Sequence, residues 1–475
     1  MKATVASAKP HGYAYSYIGI QTLYLATNFP QVFWNCACLI VKAGGAELLN
    51  GKAETTDEDN KKNKNANYGK IAAAIGECLS KNIKVLPPDI NKSSLLFSPD
   101  NENNSIIYGL KGISGIGDDI IKIIIANRPY SSIEDFLTKI KINKPKMISL
   151  LKSGCFDSLY PNTSREEIIN AYIDLITEKK KRITLQNMNM LIQKNLIPEQ
   201  FSHQIKVFNF NKYLKNFPQK DFYLLNEIAL RFYLANYDDG LLKDLIINEN
   251  GRAAKILKKD WENIYDKEMD VIRNWFKDNQ VEILDKLNQS LRDETAEKYI
   301  DGNISKWEME SLSFYYHKHE LADLRTDIYS ISDFTKLNRE PIPTKTFNKG
   351  DGNTFSLYKL SRIAGTIIDK DKDKSTITLL TTTGVVNVKI WKNQYAKWDR
   401  QLAEVDCNGK KTVIEKSWFT RGTKIIITGI RRGDSFIPKR YKNTNWPLFE
   451  KINKMDDNGW ILSSDTERIE LEEED

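Results

Sequence analysis

LKGISGIGDDIIKIIIANRP (residues 110–129) is the run that decides how the first half of the chain is read. Gly112, Gly115 and Gly117 fall in a tight loop just ahead of Asp118 and Asp119, which can cap a helix running through Ile120 to Ala126. A glycine-rich turn at a helix N-terminus exposes backbone N–H groups on which a DNA phosphate can rest, without any sequence readout. This is the pattern of a helix-hairpin-helix motif, and Lys111, Gly112, Ile113, Gly115 and Gly117 are its candidate duplex contacts. Glycines so placed also serve as plain C-caps, but the I-x-G-I-G order between apolar runs is more specific than a lone G-x-G-x-x-G. A weaker second copy follows at NKPKMISLLKSGCFDSL (143–159), where Gly154 closes a helix and Phe156 and Leu159 anchor it.

Upstream, residues 13–41 are rich in apolar and aromatic residues, and they read as two buried helices joined at Asn28-Phe29-Pro30. TTDEDNKKNKNANYGK (55–70) has no apolar spacing and reads as a loop before a helix over about 70–81, with a short strand at KVLPPDI (84–90). Downstream, residues 164–330 have a helical pattern. After Asp351-Gly352 the period becomes strand-like, with turns at 369–374 and 383–384 and a hairpin around Arg432-Gly433-Asp434. Five short strands with a helix-like insert at 393–404 predict a small barrel of the oligonucleotide-binding (OB) kind. The expected fold is multidomain: mainly α, followed by a five-stranded β-barrel.

A chain of 475 residues is too long for one core, and about three domains are expected. Hydrophobic residues make up 41% and charged residues 28%, and no window nears the ~18 apolar residues of a membrane span. The first ten residues lack an apolar signal core, so a cytoplasmic protein is expected. The five cysteines suit reduced, buried thiols better than disulfides or zinc. The net charge of +7 is unevenly spread. Phe355 to Glu450 holds 19 Lys and Arg against 9 Asp and Glu, whereas Met455 onward holds one Arg against 9 acidic residues. A basic domain with an acidic tail suits a polyanionic partner, although a solvated surface with a frayed end would look the same.

Within the barrel region, Tyr358, Trp391, Tyr395, Trp398, Trp418 and Phe436 are interleaved with basic residues. Bases stack on aromatic faces while cations follow phosphates. Several of these rings must fill the core. Trp391, Arg431, Arg432, Lys439 and Lys442 are the candidate single-strand contacts, with Arg431 and Arg432 exposed at a hairpin tip. His317 and His319 beside Glu320 invite a metal reading, but no complete ligand set accompanies them. Phosphoryl transfer needs close carboxylates holding two Mg²⁺ ions, and no Asp-x-Asp with apolar flanks occurs. The DKDKDK run (369–374) reads as a solvated turn. No residue is assigned to catalysis or to metal binding. QNMNML (186–191) has the spacing of a sliding-clamp peptide, though as an amphipathic helix it reads better as core.

Taken together, KPHGYAYSYIGIQTLYLATNFPQVF (9–33), ECLSKNIKVLPPDIN (77–91), YGLKGISGIGDD (108–119), LLKSGCFDSL (150–159) and EMESLSFYYHKHEL (308–321) resemble successive landmarks of the C-family DNA polymerases. These are the alpha subunits of bacterial DNA polymerase III and their phage relatives. The resemblance implies the end of the fingers at 1–100, tandem helix-hairpin-helix at 101–163, a helical expansion and connector at 164–340, an OB domain at 341–450 and an acidic tail at 451–475. It makes 308–321 a structural helix leading to the barrel. The family's Lys-x-His-x-x-x-Tyr pattern falls on Lys9, His11 and Tyr15, which suits the triphosphate and sugar or base of an incoming dNTP. Pro10 and Gly12 depart from the small residues usual there. The resemblance places the catalytic palm upstream, on a separate polypeptide, with Mg²⁺ in the assembled enzyme and no cofactor held by this chain. Primer-template duplex, single-stranded template, dNTP and the palm-bearing polypeptide are the expected partners, with a sliding clamp as a further candidate. A stand-alone helix-hairpin-helix/OB accessory binder is the rival reading.

Overall fold

The computed structural model describes residues 3–42, 68–216, 218–236, 242–248, 251–348, 354–405 and 411–468. They form two compact units, Met1–Ile169 with Gly302–Asp475 (the main unit) and Asn170–Asp301 (the inserted unit). Among the described residues no helix is long and apolar enough to cross a membrane.

The chain opens with α1 (Ala3–Asn28) and α2 (Gln31–Lys42), separated at Pro30, whose ring cannot continue the first helix. Val32, Asn35, Cys36 and Leu39 form the buried stripe of α2. α1 is not the buried helix expected: Tyr13, Tyr17, Ile18, Ile20, Leu23 and Tyr24 are all more than half exposed. Its apolar residues occupy every face, so no single packing side covers them. α3 (Tyr68–Ser80) packs on α2 and on a small sheet of β1 (Lys84–Leu86), β2 (Ser98–Asp100) and β3 (Ser105–Ile107), in the order β1-β3-β2. The expected loop at 55–70 lies outside the described residues up to Asn67. Cys36, Cys38, Cys78 and Cys155 are free thiols; burial pushes Cys36 up to about 12 and Cys78 up to about 11. Cys407 lies outside the described residues.

Four short helices follow: α4 (Asp118–Ala126), α5 (Ile133–Lys139), α6 (Lys144–Lys152) and α7 (Arg165–Ile176). Local capping sets their starts. Ser132 accepts from the Asp135 N–H and Asn143 from the Lys146 N–H, while Ser164 and Glu167 form a reciprocal capping box. Phe136 is fully buried, its ring 4.9 Å from that of Tyr130 and 5.2 Å from that of Phe156.

The inserted unit contains α8 (Met188–Gln193), α9 (Ser202–Leu214), β4 (Phe222–Leu225), α10 (Glu227–Asn236), β5 (Leu242–Asn248), β6 (Gly251–Leu257), α11 (Lys258–Asp278) and α12 (Gln280–Tyr299). The helical pattern expected over 164–330, within an expansion and connector running to 340, differs from the structure in two respects. An antiparallel sheet of order β4-β6-β5 lies within it, the β-branched run at 246–247 overriding the helical spacing nearby. Residues from Gly302 onward belong instead to the main unit. Trp261 centres the inserted core and donates its indole N–H to Asn211 Oδ1 (3.0 Å).

Back in the main unit, α13 (Ile304–Leu312) ends at Ser313, whose left-handed backbone (φ 55°) reverses the chain. The helix does not continue through His317 and His319, as the resemblance had implied. A ribbon of β7 (Pro343–Asn348) and β8 (Thr354–Tyr358) leads to β9 (Ser361–Asp371), β10 (Thr376–Thr381), β11 (Gly384–Lys389), α14 (Lys392–Asp399), β12 (Leu402–Val405), β13 (Lys411–Glu415), β14 (Lys424–Arg432) and β15 (Ser435–Pro438). Strands β9-β10-β11-β15-β14 close back onto β9, with β11 and β15 parallel and the remaining pairs antiparallel. This is the five-stranded, OB-like barrel that the alternation predicts, with α14 inserted between its third and fourth strands. Ile363, Ile367, Ile377, Leu379, Val386, Val388, Ile425, Ile427 and Phe436 fill it.

The expected acidic tail at 451–475 is another correction. β16 (Phe449–Met455) pairs with β14, and β17 (Ile461–Asp465) extends that edge. Arg468, the one basic residue from Met455 onward, is buried and donates to Glu415 Oε2 (2.8 Å) and to the Trp398 and Arg400 carbonyls (2.6 Å each). One buried cation with three acceptors outweighs the acidic composition.

The main unit is closed by a buried ion pair. The Arg165 side chain is 3% exposed and that of Glu308 is fully buried, with Nη1 to Oε1 at 3.1 Å. Glu308 also accepts from the Tyr316 and His317 backbone N–H groups (2.9 Å each) and contacts His317 Nδ1 (2.8 Å). Removing one partner strands the other charge in the interior. Glu308→Ala is therefore expected to lower unfolding free energy by about 3–5 kcal/mol in a urea titration, and Glu308→Gln by less.

Candidate nucleic-acid interface

The hairpin between Leu110 and Asp118 presents the geometry that the glycines predict. Gly115 has φ +80°, Gly117 is the N-cap of α4, and both are exposed. Among the described residues neither glycine N–H meets an acceptor. With the first-turn amides of α4 they form an open donor group of the kind that holds a phosphate. Ser114 at the apex is fixed at three atoms: its N–H donates to Ser311 O (2.8 Å), its carbonyl accepts from Ser149 Oγ (2.5 Å) and its Oγ from Arg421 Nη2 (2.7 Å). The donor group is thus preorganised by α6, α13 and the barrel.

Three neighbouring candidates have other roles. Gly112 is buried, and a Cβ there would lie 2.5 Å from the Tyr108 ring. Ile113 is 1% exposed and belongs to the core. Lys111 is held by Asp118 (3.1 Å) and only partly exposed. Asp118 and Asp119 do not cap α4 with their side chains; they occupy its first turn, where their charge favours the helix dipole. In the second hairpin Gly154 is buried with φ +85°, and a Cβ there would meet Arg165 at 2.4 Å. That glycine makes room for the ion pair.

On the barrel, Trp391 is 72% exposed at the start of α14, whereas Tyr395, Trp398, Trp418 and Phe436 are core. Arg431 is not an exposed contact. Its guanidinium donates to the carbonyls of Phe334 (2.8 Å), Leu337 (2.8 Å) and Gly433 (2.9 Å) and stacks 4.4 Å over the Phe334 ring, so it ties the connector to the hairpin. Arg432 and Lys442 are exposed. Lys439 lies over the Tyr358 and Tyr441 rings at 5.1 and 5.6 Å. Tyr441 was not anticipated; Arg421, one of the basic residues interleaved with the barrel aromatics, lies 4.6 Å over Tyr68.

The outer face of the barrel is partly occupied. Gly69 of α3 lies so close to Thr378 that a Cβ would come within 3.1 Å, and Ala72 packs with Leu380, Ile368 and Met309. Asp369 is not the solvated turn residue expected: burial raises its carboxyl above the ordinary range, opposed by a hydrogen bond from the Gly69 backbone and by Arg421.

Lys9 and His11 fall within helical backbone, but their side chains lie outside the described residues; Tyr15 is exposed. Met188 and Leu191 of QNMNML are fully buried in the inserted unit, so that segment offers no clamp peptide. Among the described residues no group of three or more His, Cys, Asp or Glu side chains is placed to hold a metal. His319 uses both ring nitrogens, Nδ1 accepting from the Leu321 N–H (3.0 Å) and Nε2 donating to Leu380 O (3.0 Å).

The helix-hairpin-helix motif family matches residues 82–168. The chain is 40% identical over 474 residues to the probable DNA polymerase YorL of Bacillus subtilis (strain 168) and to a DNA-directed DNA polymerase of Bacillus phage SPbeta. Each alignment covers 97% of this chain and 35% of the relative, so the chain spans about a third of the length of these relatives. It is 32% identical over 218 residues to DNA polymerase III subunit alpha of Borreliella burgdorferi, covering 43% of this chain and 17% of that protein.

Two outcomes test this geometry. At Gly117 a Cβ meets nothing within 4 Å and φ is ordinary, so Gly117→Val is expected to keep stability within about 0.5 kcal/mol while weakening duplex binding in an anisotropy titration. Gly115→Val adds a cost of about 1–2 kcal/mol for its left-handed backbone. Burial lowers the affinity of His319 for a proton below the ordinary 6.5. The unfolded chain then binds the proton first, so stability is complete above pH 6.5 and falls as pH drops through it. Melting curves of His319→Gln are expected to be flatter over that interval than those of the parent.

Proposed function

We propose, from its relationship over 97% of its length to DNA polymerases, that the chain is the DNA-gripping part of such an enzyme, with catalysis supplied by a palm-bearing polypeptide. In this reading the exposed donors at Gly115 and Gly117 hold a phosphate of the primer-template duplex. The barrel lies near the single-stranded template, offering it the exposed Trp391, Arg432 and Lys442 and the half-buried Lys439. The observation that carries the proposal is the unpartnered donor pair at the hairpin, in a chain aligned almost end to end with polymerases.

α1 supports the polymerase reading over that of a stand-alone accessory binder. A helix with apolar residues on every face is suited to enclosure by further protein. Lys9, His11 and Tyr15 then meet the triphosphate and the sugar or base of an incoming dNTP. In this reading the Mg²⁺ ions and the transfer step are assigned to the palm of the partner. The assembly acts in the cytoplasm, on the bacterial chromosome or on phage DNA.

Primer extension tests this directly. The chain alone is expected to give no extension with Mg²⁺ and dNTPs, and a mixture with the palm-bearing polypeptide is expected to extend. Extension by the chain alone, or failure of the two to associate, would reject the split. DNA binding should also weaken steeply with salt, with a log–log slope near −0.9 per phosphate neutralised.

A further inference from the structure

OB barrels offer single strands the outer face of their second and third strands. Here α3 lies on part of that face, on β10 and β11. What stands open at the same barrel is the ribbon of β7 and β8. Its register sets Lys345 opposite Leu357 and Phe347 opposite Phe355. Strand alternation therefore gathers Lys345, Phe347, Phe355 and Leu357 on one face. Thr346, Asn348, Thr354 and Ser356 take the other, where Thr346 and Ser356 share a hydrogen bond (3.2 Å).

The two phenylalanines pair across the strands yet remain 50% and 43% exposed. A two-stranded ribbon is marginal in water without something on its apolar face. Charge indicates what that is. Residues 341–348, 354–368 and 435–449 contain no Asp or Glu, and KGDGN (349–353), outside the described residues, is balanced. Lys345, Lys359, Arg440 and Lys442 are exposed on these segments. The root is fixed to the barrel: the Tyr358 N–H donates to Tyr441 Oη (2.8 Å), and Lys439 lies over both rings.

We propose that Phe347 and Phe355 form a stacking platform for bases of single-stranded DNA, while Lys345, Lys439, Arg440 and Lys442 follow its phosphates. This deepens the reading that the barrel meets the single-stranded template, and it rests on that reading. Exposed rings flanked by cations suit bases, which present an apolar face inside an anionic backbone.

The test uses the full chain with labelled oligo-dT, measured by anisotropy. Phe347→Ser with Phe355→Ser is expected to weaken single-strand binding at least fivefold per stacked base, the lower end of the stacking range. Duplex binding should be unchanged, and Phe347→Tyr with Phe355→Tyr should retain affinity. With 2-aminopurine in the oligonucleotide, quenching on binding should be lost in the serine variant. Parent-level binding by the serine variant overturns the platform while leaving the barrel reading intact. No oligo-dT binding by the parent chain overturns both. Unchanged oligo-dT affinity with lost association to the palm-bearing polypeptide overturns the platform and makes the ribbon a protein contact.

Discussion

The main unit depends on one buried ion pair, Arg165 with Glu308, placed where the chain leaves for the inserted unit and returns from it. A buried pair is stabilising only when its remaining hydrogen-bonding capacity is met, because each ion loses its hydration. Here that condition holds. Glu308 receives two backbone N–H groups besides the guanidinium, and Arg165 also reaches Asp157 (2.6 Å) and the Lys152 carbonyl (3.1 Å). The left-handed turns at Ser313 and Gly154 exist to make this possible: the first brings Tyr316 and His317 back over the carboxylate, and the second clears the space that Arg165 fills.

The geometry of the proposed DNA surfaces follows from that closure. With α13 fixed by Glu308, its Ser311 carbonyl stands where Ser114 can donate to it, and Arg421 reaches the same serine from the barrel. The hairpin is therefore held by the helices around it and by the OB barrel. On the proposed reading, two modules held in one compact unit present duplex and single-strand surfaces at a fixed spacing, and little orientational freedom is lost on binding. A flexible tether would give the same modules only an effective concentration.

Much of this was legible in the sequence where the signal is local. The glycines at 115 and 117, the strand alternation after residue 352 and the candidate Trp391 all follow from neighbours in the chain. What was not legible depends on distant partners. Arg431 looked like a hairpin-tip cation because nothing nearby in sequence shows that the carbonyls of Phe334 and Leu337 converge on it. Arg468 looked incidental in an acidic run, yet it is the buried anchor of the final segment. EMES was recognisable as a landmark, but the burial of Glu308 within it is a tertiary fact. α1 erred the other way, since apolar composition predicts a need for burial, not that the described chain meets it.

The two exposed apolar features of the main unit are different in kind, and charge separates them. From Gly12 to Val41 the sequence has no Asp, Glu, Lys or Arg, and the exposed tyrosines and aliphatics of α1 lie on all its faces. Such a surface has nothing to offer a phosphate, and it suits enclosure by protein, where tyrosines supply both contact area and a hydroxyl. The ribbon is apolar on one face only, carries Lys345 within that face and stands beside Lys439, Arg440 and Lys442. A protein core approaching it would have to bury or pair those cations, at a cost. A nucleic-acid strand brings the pairing charges with the stacking faces, so the same residues that would oppose a protein partner favour a base-stacked one.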